Sequence, residues 1–149
     1  MTSIIIINYK NPALLRLCLS SLKRTLSADF KHEILVVDIA SIPETRNAAE
    51  EFSSVKLVMF KDNIGYTKGV NEGIKASSGD YMLILNPDVI PTAKSIENLT
   101  LYLATNTEIG LAGPRLLNFD GSFQDSCFRY YTPLTVLCRR SPLGKTAFG

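Results

Sequence analysis

Three polar stretches each follow an uninterrupted apolar run, and their residue types define what chemistry is available. Asn8-Tyr9-Lys10-Asn11 follows IIII, Asp38-Ile39-Ala40-Ser41 follows ILVV, and Asn86-Pro87-Asp88 follows MLIL. Taken singly, an Asp or Asn in such a place is a turn former or helix cap. Taken together, carboxylates and amides at the ends of parallel strands converge on one edge of a sheet, where open α/β proteins bind their ligands. Oxygen donors there suit two tasks. Asp88 is placed to meet a metal-bound phosphate, since Mg²⁺ and Mn²⁺ favour oxygen ligands and are held through one or two carboxylates plus substrate phosphates. Asp38 is placed to accept hydrogen bonds from the ribose or base of a nucleotide.

For those groups to converge, the chain must fold as alternating strands and helices. Residues 3–8, 33–38, 54–60 and 82–85 are apolar runs rich in β-branched residues, the pattern of strands buried on both faces of a parallel sheet. Between them, Asn11-Pro12 caps and opens a helix whose Leu14, Leu15, Cys18, Leu22 and Leu26 form an apolar face. Pro43 opens a second helix over residues 44–52. A third spans residues 66–76, with Gly69 and Gly73 one turn apart and Val70 and Ile74 on one face. The order is βαβαβαβ, hence a mainly parallel sheet with right-handed crossovers and flanking helices. After Asp88, Pro91-Thr92 opens another helix with Ile96, Leu99 and Leu103 inward, and residues 109–113 read as a short fifth strand. Asp120-Gly121 between apolar stretches predicts a hairpin.

The chain's 149 residues, 46% of them hydrophobic, suit one domain over residues 1–149 with its own core. Sixteen basic and 14 acidic residues leave a net charge of +2, too little for a general nucleic-acid binder. Arg129, Arg139, Arg140 and Lys145 form a local basic cluster that could face phosphate, acidic lipid or water. Cys18, Cys127 and Cys138 are odd in number and lack CxxC spacing, so neither a disulfide framework nor a zinc site is expected. The opening MTSIIIINYK has no basic leader and only a four-residue apolar run, which reads as a strand of a cytoplasmic protein. Neither GxxxxGK[ST] nor GxGxxG occurs, so a metal rather than a glycine loop has to carry a diphosphate.

Five ordered blocks carry a resemblance across essentially the whole chain: IIIINYKNPALLRLCLSSL, ILVVDIAS, the Asp62-Asn63-Ile64-Gly65 turn with Asn71 and Gly73, GDYMLILNPDV, and GPRLLNFDGSFQDSCFRYYTP. Together they resemble a family 2 inverting glycosyltransferase of the GT-A fold, in its rhamnosyltransferase-like branch. The resemblance implies a nucleoside diphosphate sugar donor, UDP- or dTDP-linked, and a divalent metal, Mg or Mn. It also implies a saccharide or lipid-linked acceptor in cell-surface polysaccharide assembly, with peripheral association at the cytoplasmic face of the membrane. Donor-binding positions by this likeness are Asn8, Tyr9, Asp38, Ser41, Asn63, Gly65, Asn71, Asn86 and Asp88. Asn86-Pro87-Asp88 stands in for the family's DxD motif, with Asp88 on the metal.

Two departures bear on mechanism. Ile39 occupies a place where the family usually has Asn, and Asn86 replaces the first Asp of DxD. The family's later acidic segment, which supplies the catalytic base, has no counterpart here, so the chain reads as the donor-binding portion. An inverting transfer needs a base to deprotonate the acceptor hydroxyl and a cation to stabilise the departing diphosphate. Only the second is legible. Asp120 and Asp125 are bases by type, but the Asp-Gly turn already accounts for Asp120, and His32 lies at the wrong strand end. Two other readings remain open: a sugar nucleotidyltransferase, which would carry a glycine-rich basic loop after the first strand, and a non-catalytic nucleotide-sugar-binding module.

Overall fold

A computed structural model of the chain describes residues 1–118 and 120–126. Cys127, Cys138 and the basic cluster Arg129, Arg139, Arg140 and Lys145 lie outside the described residues. The chain divides into two compact units, Met1–Ala112 and a second that begins at Gly113.

The first unit is built on β1 (Thr2–Asn8), and all seven of its residues are buried. Because successive side chains alternate between sheet faces, four consecutive isoleucines require a hydrophobic layer on each side. Ile4 and Ile6 pack with Leu15, Cys18, Leu19 and Leu22 of α1 (Pro12–Thr25), and Ile5 and Ile7 pack in the opposite layer with Leu35 and Val37. Each fully buried Ile or Leu contributes about 1.5–3 kcal/mol, so a strand of this composition is excluded from any exposed edge. The sheet order β3-β2-β1-β4 meets that requirement, with β2 (His32–Asp38), β3 (Val55–Met59) and β4 (Tyr81–Leu85) all parallel to β1 or its neighbour. The chain runs outward from β1 through β2 to β3, then returns to the other side of β1. The point of reversal therefore lies between β1 and β4.

The helices fall on both faces. α1, α2 (Pro43–Glu50) and α4 (Ser95–Thr105) contribute Leu15, Ala48 and Ile96 to the layer under Ile4 and Ile6. Asn11 caps α1 as expected, its Oδ1 accepting from Leu14 N at 3.2 Å. On the other face α3 (Tyr66–Ala76) turns its two buried glycines to the sheet. A Cβ at Gly69 would lie 2.5 Å from Ile39 Cγ2, and one at Gly73 would overlap Ile5 Cγ2 and press Val37 Cγ2 at 3.1 Å. The glycines let α3 sit directly on β1 and β2, while Ile74 is 37% exposed.

The second helix ends at Glu50 and not at residue 52, β3 is shorter than expected at Val55–Met59, and two segments after β4 differ more. α4 begins at Ser95 and not at Pro91, because Lys94 takes a left-handed conformation with φ 60° and Ser95 N bonds Thr92 O in a turn. Residues 109–113 form no strand: the segment carries two glycines and leaves Leu111 90% exposed with no ladder partner among the described residues. In the second unit the Asp-Gly hairpin is present as a single antiparallel bridge, Leu117 with Phe123, with Gly121 at φ +83°.

At the N-terminal edge of the sheet Glu33 ties four segments together. Its Oε1 accepts from Ser3 Oγ at 2.6 Å and from Ser78 N and Oγ at 2.6 and 2.9 Å, while Lys56 Nζ donates to Oε2 at 2.6 Å. The Lys56 ammonium, then the Ser3 hydroxyl, hold the carboxyl down at about 2 from its ordinary 4.5. A depressed carboxylate contributes stability that is full above its unfolded value and is lost as pH falls through the folded one. Glu33→Gln is therefore expected to lower unfolding free energy by about 1–3 kcal/mol at neutral pH. The gap from wild type should close between pH 4.5 and about 2, as read from urea midpoints across that range. Gly73→Ala should cost about 1–3 kcal/mol at all pH values, because the added methyl overpacks the α3 contact; thermal and urea unfolding measure it.

Candidate functional site

β1 and β2 run in register to their ends, with Asn8 opposite Asp38. Residue parity turns both side chains toward the layer of α1 and α2, where neither is exposed to any measurable extent. Asn8 Nδ2 donates to Asp38 Oδ1 at 3.1 Å and to Thr45 Oγ1, on the first turn of α2, at 3.3 Å. A carboxylate oxygen can only accept, so this bond fixes the amide's orientation. Two acceptors are then left without partners among the described residues, Asn8 Oδ1 and Asp38 Oδ2. A buried acceptor with no partner is costly and uncommon.

The loops beyond the strand ends are tied to each other by backbone bonds. Ile39 N donates to Asn8 O, Ser41 N to Phe60 O at 2.8 Å, and Ile64 N to Ile39 O at 3.1 Å. The expected polar gap at Ile39 is filled apolarly: its side chain, 5% exposed, packs in the α3 layer against Gly69. Asn63 Oδ1 accepts from Gly65 N at 2.9 Å, shaping a turn in which Gly65 takes φ +79°, a conformation that other residues adopt only with strain. That turn delivers α3 with Tyr66 at its first position. Tyr66 OH donates to Asn86 Oδ1 at 3.3 Å, bridging the start of α3 to the end of β4.

The sequence-derived positions thus separate into groups. Asn8 and Asp38 are brought into direct contact and are buried. Tyr9, Asn63, Gly65, Asn71, Asn86 and Asp88 are exposed, and Ser41 is half-buried. Asn71 does not join the Asn8–Asp38 pair; it lines an open cleft of ≈ 490 Å³ with Gly65, Tyr66, Thr67, Glu72 and Lys75 along the flank of α3. That cleft begins beside Gly65 and Tyr66 and runs along the flank of α3, and the Asn8–Asp38 pair is not part of its lining. Thr45 and Tyr66 were not singled out from sequence. Thr45 could have been found from its place three residues into a proline-initiated helix facing a strand-ending Asp. Tyr66 gives no comparable signal.

Asp88 stands exposed after β4, across the chain reversal from Asn8, and makes no ion pair with a described residue. No cluster of three His, Cys, Asp or Glu side chains suited to a metal occurs among the described residues. The donor set nonetheless fits a hard divalent cation bound through a single carboxylate, with phosphate oxygens and water supplying the remaining ligands. Cys18 is the other group that feels Asp88. Burial, and after it the negative charge of Asp88, push its thiol up to about 12. Cys18 is a packing residue and not a nucleophile. Asp120, weighed as a base, accepts from Ser122 N at 2.9 Å and Oγ at 2.6 Å, and those bonds hold its carboxyl below the ordinary value. His32 begins β2 at the opposite end of the strand, its Nδ1 2.7 Å from Phe30 O.

A parallel sheet that reverses at β1, with carboxylates and amides gathered at the strand ends, defines an α/β domain of the GT-A type. Solved structures share this fold. The mannosyltransferase PcManGT from Pyrobaculum calidifontis, in complex with GDP-Man and Mn²⁺, superposes with a TM-score of 0.64 at 22% identity, over 69% of this chain and 32% of that one. TarS 1-349 from S. aureus, in complex with UDP-GlcNAc, does so with a TM-score of 0.61 at 22% identity, over 71% of this chain and 32% of that one. The chain belongs to glycosyl transferase family 2, whose family model matches residues 3–146. It is also 31% identical over 88 residues to an uncharacterized glycosyltransferase of Haemophilus influenzae, covering 56% of this chain and 27% of that protein. The chain thus spans about a third or less of the length of these relatives.

The burial of Cys18 carries a direct consequence. Iodoacetamide at pH 8 should leave Cys18 unlabelled in the native chain and label it in urea, as read by peptide mass mapping; labelling of Cys18 in the native state would contradict the packing of α1.

Proposed function

We propose that this chain is the donor-binding part of an inverting glycosyltransferase. It would take a nucleoside diphosphate sugar with a divalent metal and serve transfer to a saccharide or lipid-linked acceptor. The observation that carries this reading is the pairing, across the chain reversal, of a buried Asp38 with an unpartnered oxygen and an exposed Asp88. One end of such a donor, the nucleoside, offers hydrogen-bond donors; the other, the diphosphate, needs a cation.

In this reading Asp38 receives the nucleoside, Asn63 and Gly65 shape the approach to it, and Tyr66 steadies Asn86 beside Asp88. Asp88 holds Mg²⁺ or Mn²⁺ together with the donor's phosphates. The bound metal supplies positive charge that stabilises the departing diphosphate. The acceptor's base is assigned to no described residue, in keeping with a chain that spans a third or less of its relatives. The rhamnosyltransferase-like likeness favours a UDP- or dTDP-linked donor, a role in cell-surface polysaccharide assembly, and work at the cytoplasmic face of the membrane. No described helix is long and apolar enough to cross a membrane. A nucleotidyltransferase reading finds no support, since the loop after β1 has no glycine and its left-handed residue is Lys10, at φ 48°.

Calorimetric titration of UDP- and dTDP-sugars, with GDP-mannose alongside, with and without Mn²⁺, tests the reading. Wild type should bind at least one donor more tightly with Mn²⁺, and Asp88→Ala should lose the metal-dependent part, about tenfold or more for a group on a charged ligand. Equal binding by Asp88→Ala in the presence of Mn²⁺ would remove the metal assignment.

A further inference from the structure

We infer that the outer edge of β3, with the groove beside it, is an interface through which two copies of this chain associate as a two-fold symmetric dimer. The inference stands apart from the donor-binding reading of the strand ends.

β3 ends the sheet, with β2 on one side and no strand on the other among the described residues. Its backbone direction can be read from Phe60, whose N–H donates to Asp38 O and whose C=O accepts from Ser41 N. By the two-residue period Lys56 and Val58 also face β2, so Leu57 and Met59 point their N–H and C=O groups outward. Val55 points its C=O the same way, while its N–H is taken by Phe52 O at 3.1 Å. Edge strands are commonly guarded by a lysine, a proline or a bulge. Here the strand VKLVM has no proline, and its lysine lies back across the sheet on Glu33 at 2.6 Å.

The side chains select the occupant. Val55, Leu57 and Met59 are half-buried and line a groove of ≈ 490 Å³ with Phe52 and with Arg46 and Glu50 of α2. Thr45, next to Arg46, bonds Asn8 at the strand ends, level with Asp38 and hence with Met59. Arg46 therefore lies toward the Met59 end of the groove and Glu50 toward the Val55 end. Both are exposed, and neither makes an ion pair with a described residue. A second copy laid antiparallel about Leu57 offers the complement of each feature. Leu57 meets Leu57 as a hydrogen-bonded pair, Val55 meets Met59, and Arg46 of each copy comes level with Glu50 of the other. The two Lys56 side chains approach each other, each already neutralised by its own Glu33. A five-residue strand and one helix face from each copy make a small contact, hence a weak and reversible dimer.

The test is sedimentation equilibrium of the full chain from about 1 μM to about 1 mM, the range in which weak dimers form, with thermal unfolding of each variant. Wild type should pass from monomer to dimer. Arg46→Glu or Glu50→Arg alone should weaken the dimer at least about fivefold, because two-fold symmetry makes each reversal count twice. Mixed together, the two single variants should associate with each other as tightly as wild type does with itself, since every charge then meets its opposite. Met59→Pro removes an outward N–H that the single copy leaves unused, and should weaken the dimer about tenfold or more. If Met59→Pro fails to fold, the charge variants decide alone. In wild type the Leu57 and Met59 amides should exchange with solvent quickly when dilute and slowly when concentrated. A chain that stays monomeric up to the highest concentration, a dimer indifferent to both reversals, or a mixture no tighter than the single variants overturns the inference. So does protection of those two amides in the dilute chain, which would show the edge to be covered within one copy.

Discussion

Seven consecutive residues of β1 with no face left to solvent impose the rest of the architecture. A strand buried on both sides needs a neighbour on each edge and a helical layer on each face, which is what β2, β4, α1 and α3 supply. The reversal of chain direction beside β1 follows from the same requirement, because β4 must return to the free edge of β1 after β2 and β3 have taken the other. The polar edge at the strand ends is thus a by-product of how the most apolar segment is covered.

The two ends of the sheet handle buried polar groups in opposite ways. At the N-terminal edge Glu33 has both oxygens engaged, by Ser3 and Ser78 on one and Lys56 on the other, and its carboxyl is held low. That end contributes stability. At the C-terminal edge Asn8, Asp38 and Thr45 are buried more deeply than Glu33, yet two acceptor oxygens lack partners. An apolar trio of similar volume would remove that cost.

Departures from the family pattern are absorbed locally. Ile39, which replaces a polar residue, turns into the α3 layer, and the glycine at position 69 gives it room. Asn86, which replaces a carboxylate, takes the Tyr66 hydroxyl and leaves Asp88 as the negative group at the end of β4. The same close seating of α3 that accommodates Ile39 also brings Tyr66 within reach of Asn86, so packing on one face of the sheet reaches the polar edge.

The four strands and the helices between them were legible in the sequence because each depends on local periodicity: runs such as IIII and ILVV, the Asn11-Pro12 cap, and the glycine pair at 69 and 73. The strand-end residues Asn8, Asp38 and Asp88 were legible as a set for the same reason. Where periodicity was weak the sequence misled, as at residues 109–113, whose short apolar run has no partner strand among the described residues. What only the tertiary structure decided is which of the polar residues meet. Asn8 and Asp38 are 30 positions apart and Asn8 and Thr45 are 37 apart, and their contact depends on strand register and side-chain parity together. A one-residue slip in that register would turn Asp38 to the other face, and no local pattern in the sequence records the choice.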